Sequence, residues 1–388
     1  MQRRGFLSLV GSVGVCGCVG GRTTSPPPDP VAEFTATAPW PMAGFGPAGT
    51  GQNPASDPLQ NQAEAWTRHL APTTGGSVSP HVVTDTDTVY AAAYSRVTAL
   101  SAPDGDQLWS HDFSHKTVSG LAVTEDGLLV TASGPSGPRL AKFEKETGDT
   151  RWTNFLDSAA HGPPVVTDDR IVVLTAAPNG GVSSFSHDGD RQWTTSIVAR
   201  TDGPRAALHD ESVFVADGGE LVSLTAATGE VRWRRRLSAP LTRPPVVANG
   251  RVYATTASGL SVFETDSTRV WERALGEKIG LSCPCVTADA VTLADASGRV
   301  TGLDASTGDV QWRSFLNGGV ASPLVAANQT VALATEHGLL TGLTAGSTRW
   351  TRELSLRERL DVPLRATLVP AHDRLYVALN DGWLYALG

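Results

Sequence analysis

Leu224-Thr-Ala-Ala-Thr-Gly-Glu-Val-Arg-Trp233 and Leu303-Asp-Ala-Ser-Thr-Gly-Asp-Val-Gln-Trp312 follow one pattern. Each reads as a short strand ending at leucine, a turn with glycine where the chain needs a positive φ, and a second strand carrying tryptophan. Working outward, altered copies stand at Leu100 to Trp109, Phe143 to Trp152, Phe185 to Trp193, Phe263 to Trp271 and Leu343 to Trp350, and Trp66 opens the series without that preamble. Successive tryptophans lie 43, 43, 41, 40, 38, 41 and 38 residues apart. One such hairpin cannot bury its apolar faces alone, whereas stacked copies can. A packed indole buries roughly 150–250 Å², a gross gain of about 4–6 kcal/mol before entropy is subtracted. The eight indoles therefore read as mortar between repeats, not as ligand platforms.

After each tryptophan a polar stretch leads to a small-residue/proline step and a valine-rich strand. Ser79-Pro80-His81-Val82-Val83, Arg243-Pro244-Pro245-Val246-Val247 and Ser322-Pro323-Leu324-Val325 are examples, while Ser119-Gly120-Leu121 lacks the proline. Four short strands per repeat of about 40 residues is the arithmetic of a propeller blade. The eight valine strands and eight tryptophan strands are offset by one. The last repeat ends at Trp383-Leu-Tyr-Ala-Leu-Gly388 with no tryptophan strand after it, and Glu64-Ala-Trp66-Thr-Arg-His-Leu70 has no blade before it. The expected fold is all-β: an eight-bladed β-propeller with four-stranded antiparallel blades, its ring closed by the N-terminal strand. Closure removes the exposed edges of an open array.

Composition narrows the function classes. The 388 residues include 40 glycines and 25 prolines, with 40% hydrophobic and only 18% charged residues, too apolar for disorder and rich in turn formers. A net charge of −8 argues against nucleic acid as a partner. The basic run Arg232, Arg234, Arg235 and Arg236 straddles a repeat tryptophan and reads as a solvated strand edge. Of the 31 basic residues 27 are arginine, which with the acidic excess suits a halophilic archaeon with GC-rich DNA.

Residues 1–18 read as a twin-arginine-type lipoprotein signal peptide. Arg3-Arg4 heads a short, weakly apolar run, and Val15-Cys16-Gly17-Cys18 resembles a lipobox in which Cys18 follows a small residue. A plain secretory signal with incidental cysteines is the alternative. Residues 19–39, with Pro26-Pro27-Pro28, have the composition of a disordered tether, and 40–388 form the propeller. This organisation predicts an exported, membrane-anchored lipoprotein facing the cell exterior.

Leu224, Ala226, Thr228, Gly229 and Trp233, matched at Leu303 to Trp312, resemble the repeat of the pyrroloquinoline-quinone-type (PQQ-like) propellers. The segment Trp40 to Gly51 is similar to the leader before the first blade of haloarchaeal members. Both quinoprotein alcohol dehydrogenases and a β-barrel-assembly propeller lipoprotein belong to that family, so the fold does not settle function. The resemblance implies, for an enzyme, a disulfide between adjacent cysteines, an aspartate base and a calcium site. Here Cys283 and Cys285 are separated by Pro284, no Cys-x-x-Cys-His haem site exists, and short blades leave little room for site-building insertions. The reading is of no catalytic residue and no cofactor, with neither quinone nor calcium. It is a monomeric scaffold for a protein partner of the cell envelope; a small-ligand sensor and a PQQ-dependent dehydrogenase are the alternatives. The Cys283/Cys285 pair stays open between buried thiols, a tight disulfide and an incomplete soft-metal site. With His81, Arg205, Arg243 and Arg365 at neighbouring repeat positions, it outlines a candidate channel-mouth site for a small anionic ligand.

Overall fold

A computed structural model describes residues 39–56, 63–70, 80–114, 117–160, 162–176, 180–197, 205–217, 219–276, 282–354 and 363–388. The expected signal peptide with Cys18, and the tether up to residue 38, lie outside the described residues.

The described strands form eight sheets, each with four consecutive antiparallel strands or their closed equivalent, arranged as an eight-bladed β-propeller. Blade 1 comprises His81–Thr84, Thr88–Ala93, Arg96–Ser101 and Gln107–Asp112. Blade 2 runs from Thr117–Thr124 to Thr150–Phe155, blade 3 from Val165–Val166 to Arg191–Ser196, and blade 4 from Ala207–His209 to Val231–Arg236. Blade 5 spans Val246–Ala248 to Arg269–Ala274, blade 6 Cys285–Val286 to Val310–Phe315, and blade 7 Val325–Ala327 to Ser347–Glu353. The middle strands of each blade are buried on both faces, which is why they read as near-continuous apolar runs such as Thr88–Ala93. First strands of neighbouring blades touch one another, so they line the axis. Fourth strands alternate between exposed and half-buried residues and form the rim.

Blade 8 joins Ala366–Ala371, Arg374–Leu379 and Trp383–Leu387 to Glu64–His69, with Trp66 opposite Ala386 and Thr67 opposite Tyr385. The offset in the repeat thus resolves as a closed ring.

One part departs from the repeat. Gln52–Asn53 adds to blade 7 as a fifth strand, parallel to Val325–Ala327, with Gln52 opposite Ala326. It is the end of a leader that follows the axis blade by blade. Carbonyls of Trp40, Pro41, Pro47, Ala48, Thr50 and Gly51 accept from the amides of Thr84, Val123, Leu208, Val247, Val286 and Ala326, at 2.6–2.9 Å. Those amides belong to the first strands of blades 1, 2, 4, 5, 6 and 7. Met42 joins the apolar cluster containing Val165 and Val166 of blade 3, and Asn53 Nδ2 donates to Pro370 O of blade 8 at 2.9 Å. Inward-edge amides of the first strands need acceptors, and in six blades the leader supplies them.

Candidate functional site at the ring axis

The tryptophans dock each blade onto the next. Indole Nε1 of Trp66, Trp109, Trp152, Trp193, Trp233 and Trp271 donates to the carbonyl of Ala102, Lys145, His187, Ala226, Thr265 and Ala305, at 2.6–3.2 Å. Each acceptor lies in the turn between third and fourth strands of the following blade. Glycine of that turn lies under the ring: a Cβ at Gly308 would sit 2.5 Å from Trp271 Cε3. Trp312 packs in the same way on the turn at Gly346. Trp350 does not, because the third and fourth strands of blade 8 come from distant parts of the chain and no turn joins them. Its Nε1 is buried without a partner.

Reading the repeat missed a second clamp, two residues after the tryptophan. Arg68, Asn154, Thr195 and Arg273 donate to the carbonyls of Gly105, Gly189, Gly229 and Gly308. The available signal was a hydrogen-bond donor recurring at that position.

At the axis, the structure gathers four of the six candidate ligand residues: Arg205, Arg243, Cys283 and Cys285, from the starts of blades 4, 5 and 6. Arg205 and Arg243 are only 7% and 9% exposed. The Arg205 guanidinium faces the leader, donating from Nη1 to Ala43 O (2.9 Å) and from Nη2 to Gly49 O (3.4 Å). Gly44 and Gly49 cradle it, both at positive φ, and a Cβ on Gly49 would lie 1.6 Å from Nη2. Burial pulls the Arg205 pKa below its ordinary value, with only the Cys283 thiol opposing that shift. Cys283 and Cys285 are free thiols. Burial raises the Cys283 pKa, partly countered by Arg205 and Arg243, and pushes Cys285 up to about 12. The Cys285 thiol lies 3.6 Å from Gly51 O as a weak donor.

His81 and Arg365 belong elsewhere, on blades 1 and 8 at another sector of the ring. His81 is half-buried, and desolvation lowers its pKa to about 4, so the imidazole is neutral near pH 7. Arg365 is exposed, and its amide donates to Asn380 Oδ1 at 2.9 Å. The six residues cluster at the same step of different repeats, and a shared step places residues around a ring without bringing them together.

Chemically, the axial group is cationic and thiol-bearing, with the thiols held protonated. A thiol is a nucleophile and a metal ligand only as thiolate, and calcium takes oxygen donors rich in carboxylates. The axial donor set therefore does not match the disulfide, aspartate and calcium that quinone chemistry requires. Among the described residues no three His, Cys, Asp or Glu side chains are grouped to hold a metal.

A family model described as "Outer membrane protein assembly factor BamB" matches residues 59–134, 93–196 and 178–387. The chain belongs to this family. It is 24% identical over 363 residues to the outer membrane protein assembly factor BamB of Moranella endobia, covering 83% of this chain and 89% of that protein. The crystal structure of BamB from Moraxella catarrhalis matches with a TM-score of 0.67 at 19% identity, covering 84% of this chain and 97% of that one. The quinohemoprotein alcohol dehydrogenase of Comamonas testosteroni matches with a TM-score of 0.66 at 14% identity, covering 91% and 81%. At such identities the solved structures share the fold alone.

Proposed function

We propose that this chain is an exported, lipid-anchored, non-catalytic propeller that binds a protein partner at the cell envelope, as a monomer and without quinone or calcium. The observation that carries the reading is the leader. It occupies the axial edges with the chain's own backbone and engages Arg205 and Cys285 there. What the ring offers to other molecules is its rim, where large apolar side chains stand in solvent: Phe315 is 74% exposed and Phe155 62%. Relatives named as outer membrane protein assembly factors support a partner in the envelope. Lipidation at Cys18, followed by the tether, would hold the propeller on the outer side of the membrane.

The test is twofold. Quinone with calcium is added to the purified chain, and absorbance and alcohol-dependent dye reduction are recorded. In parallel, the intact lipoprotein is crosslinked in its own membranes. The reading expects no retained chromophore and a stoichiometric crosslinked envelope protein; a bound chromophore with dye reduction overturns it. Mass spectrometry of the mature N-terminus expects a lipid mass on Cys18, and an unmodified terminus elsewhere removes the anchor.

A further inference from the structure

We infer that the outer edge of blade 4 takes an extended acidic segment of the partner protein as an added strand. This rests on the scaffold reading above and names its docking surface.

The fourth strand of blade 4, Val231–Arg236, pairs inward with Glu220–Thr225, with Arg235 opposite Leu221 and Arg234 opposite Val222. It ends its sheet, and among the described residues its outer edge has no ladder partner. Its sequence, Val-Arg-Trp-Arg-Arg-Arg, carries four arginines and no acid, whereas no other rim strand holds more than two arginines. All four are exposed, on a chain of net charge −8.

Their partners matter for what remains available. Arg234 is neutralised by Asp217 (2.5 Å) and Glu220 (3.4 Å) of its own blade. Arg232 donates to the Ser212 hydroxyl, and Arg235 donates to Ser267 O while lying 5.8 Å over the Phe263 ring. Among the described residues, Arg232, Arg235 and Arg236 have no carboxylate partner. Beside the strand lies a cleft of about 410 Å³ lined by Arg235, Arg236, Leu237, Phe263, Arg269 and Glu272. Arg269 is held by Glu272 at 3.1 Å.

A charged edge commonly guards against pairing with like edges. Arginines do so here against a second copy of this strand. The same charge favours an acidic strand, whose backbone supplies ladder bonds while alternate side chains reach the guanidinium groups. The half-buried Leu237 beside the cleft suits an intervening aliphatic residue.

The probe is a fluorescein-labelled peptide of alternating glutamate and valine, titrated into the full chain. Comparators are the lysine-for-glutamate peptide, an N-methylated version unable to form ladder bonds, and phosphatidylglycerol vesicles. Variants are R235E/R236E and, as a rim control, R313E, with circular dichroism checking that each folds. The expected result is affinity weakened roughly tenfold or more by R235E/R236E and by N-methylation, reduced by added salt, and unchanged by R313E. Equal binding to R235E/R236E, equal binding of the N-methylated peptide, or full displacement by vesicles overturns the edge assignment. If R235E/R236E still crosslinks the wild-type envelope partner after losing the peptide, the edge assignment falls and the scaffold reading stands. If the edge binds peptide but no envelope protein crosslinks to any form, the scaffold reading falls and the edge stands.

Discussion

Between blades 5 and 6, Trp271 Nε1 donates to Ala305 O (3.2 Å), and Arg273 clamps Gly308 O (2.7 Å) and Asp309 (2.5 Å). Between blades 7 and 8, the equivalent Trp350 Nε1 and Arg352 Nε are buried without partners. Arg352 reaches only Glu64, at 3.7 Å. The leader crosses this junction instead. Gln52–Asn53 pairs with blade 7, and Asn53 bonds Pro370 of blade 8. Most seams in a repeat protein are side-chain seams, each identical because each contains the same turn. The closing blade lacks that turn, so its seam is made by backbone drawn from outside the repeat.

The largest effect should come from removing residues 40–56. The six first-strand amides lose their acceptors at about 0.5–1.5 kcal/mol each, and the core loses the buried side chains of Trp40 and Met42, so the expected loss is on the order of 5 kcal/mol or more. Urea denaturation checks this, and an unchanged midpoint would reduce the leader to decoration. Next is Gly49→Ala, where positive φ and a guanidinium in the space of the new Cβ combine to cost about 2–4 kcal/mol. Gly250→Ala, at φ +71 with nothing near its Cβ, isolates the backbone share and should cost about 1 kcal/mol.

The two seams are compared most directly by Trp271→Phe and Trp350→Phe. The first strands a buried carbonyl and should cost about 1–3 kcal/mol, while the second removes an unpartnered donor and should be close to neutral. Equal costs at both sites would erase the distinction.

The smallest effect concerns the junction of blades 8 and 1, where Thr367 Oγ1 donates to Pro80 O and His372 bridges Tyr376 and Asp85. Burial lowers the pKa of His372, and lowers that of His81 from 6.5 to about 4. The unfolded chain therefore binds protons first, so stability falls as pH drops from about 6.5 towards 4 and levels off below. Between pH 7 and 6 the His81 contribution should stay under about 1 kcal/mol, and thermal midpoints of His81→Phe should show a flatter profile over that range.

Much of the ring was legible because repetition multiplies a weak local signal. Eight tryptophans near a 40-residue spacing, and their offset from the valine strands, specify closure by Glu64–His69. Blade 2, which lacks the proline step, has Gly120 because Pro163 of blade 3 lies where its Cβ would be, 2.1 Å from Pro163 Cα. The leader was legible only as a resemblance. Its contacts are mainly carbonyl oxygens, which every residue has, so neither alternation nor side-chain type announces its path. For that reason Arg205 read as a ligand residue, although its partners are the leader's own carbonyls at Ala43 and Gly49. Cys283 and Arg243 lie near Arg205, while His81 and Arg365 lie on blades 1 and 8.

The chain's own leader occupies the axis. Native-state hydrogen exchange of the full chain tests it at the amides of Thr84, Val123, Leu208, Val247, Val286 and Ala326, whose acceptors are leader carbonyls. Protection approaching that of the middle strands is expected, and it should be lost when residues 40–56 are removed. Fast exchange at these six amides in the intact chain would show an open axis and contradict it.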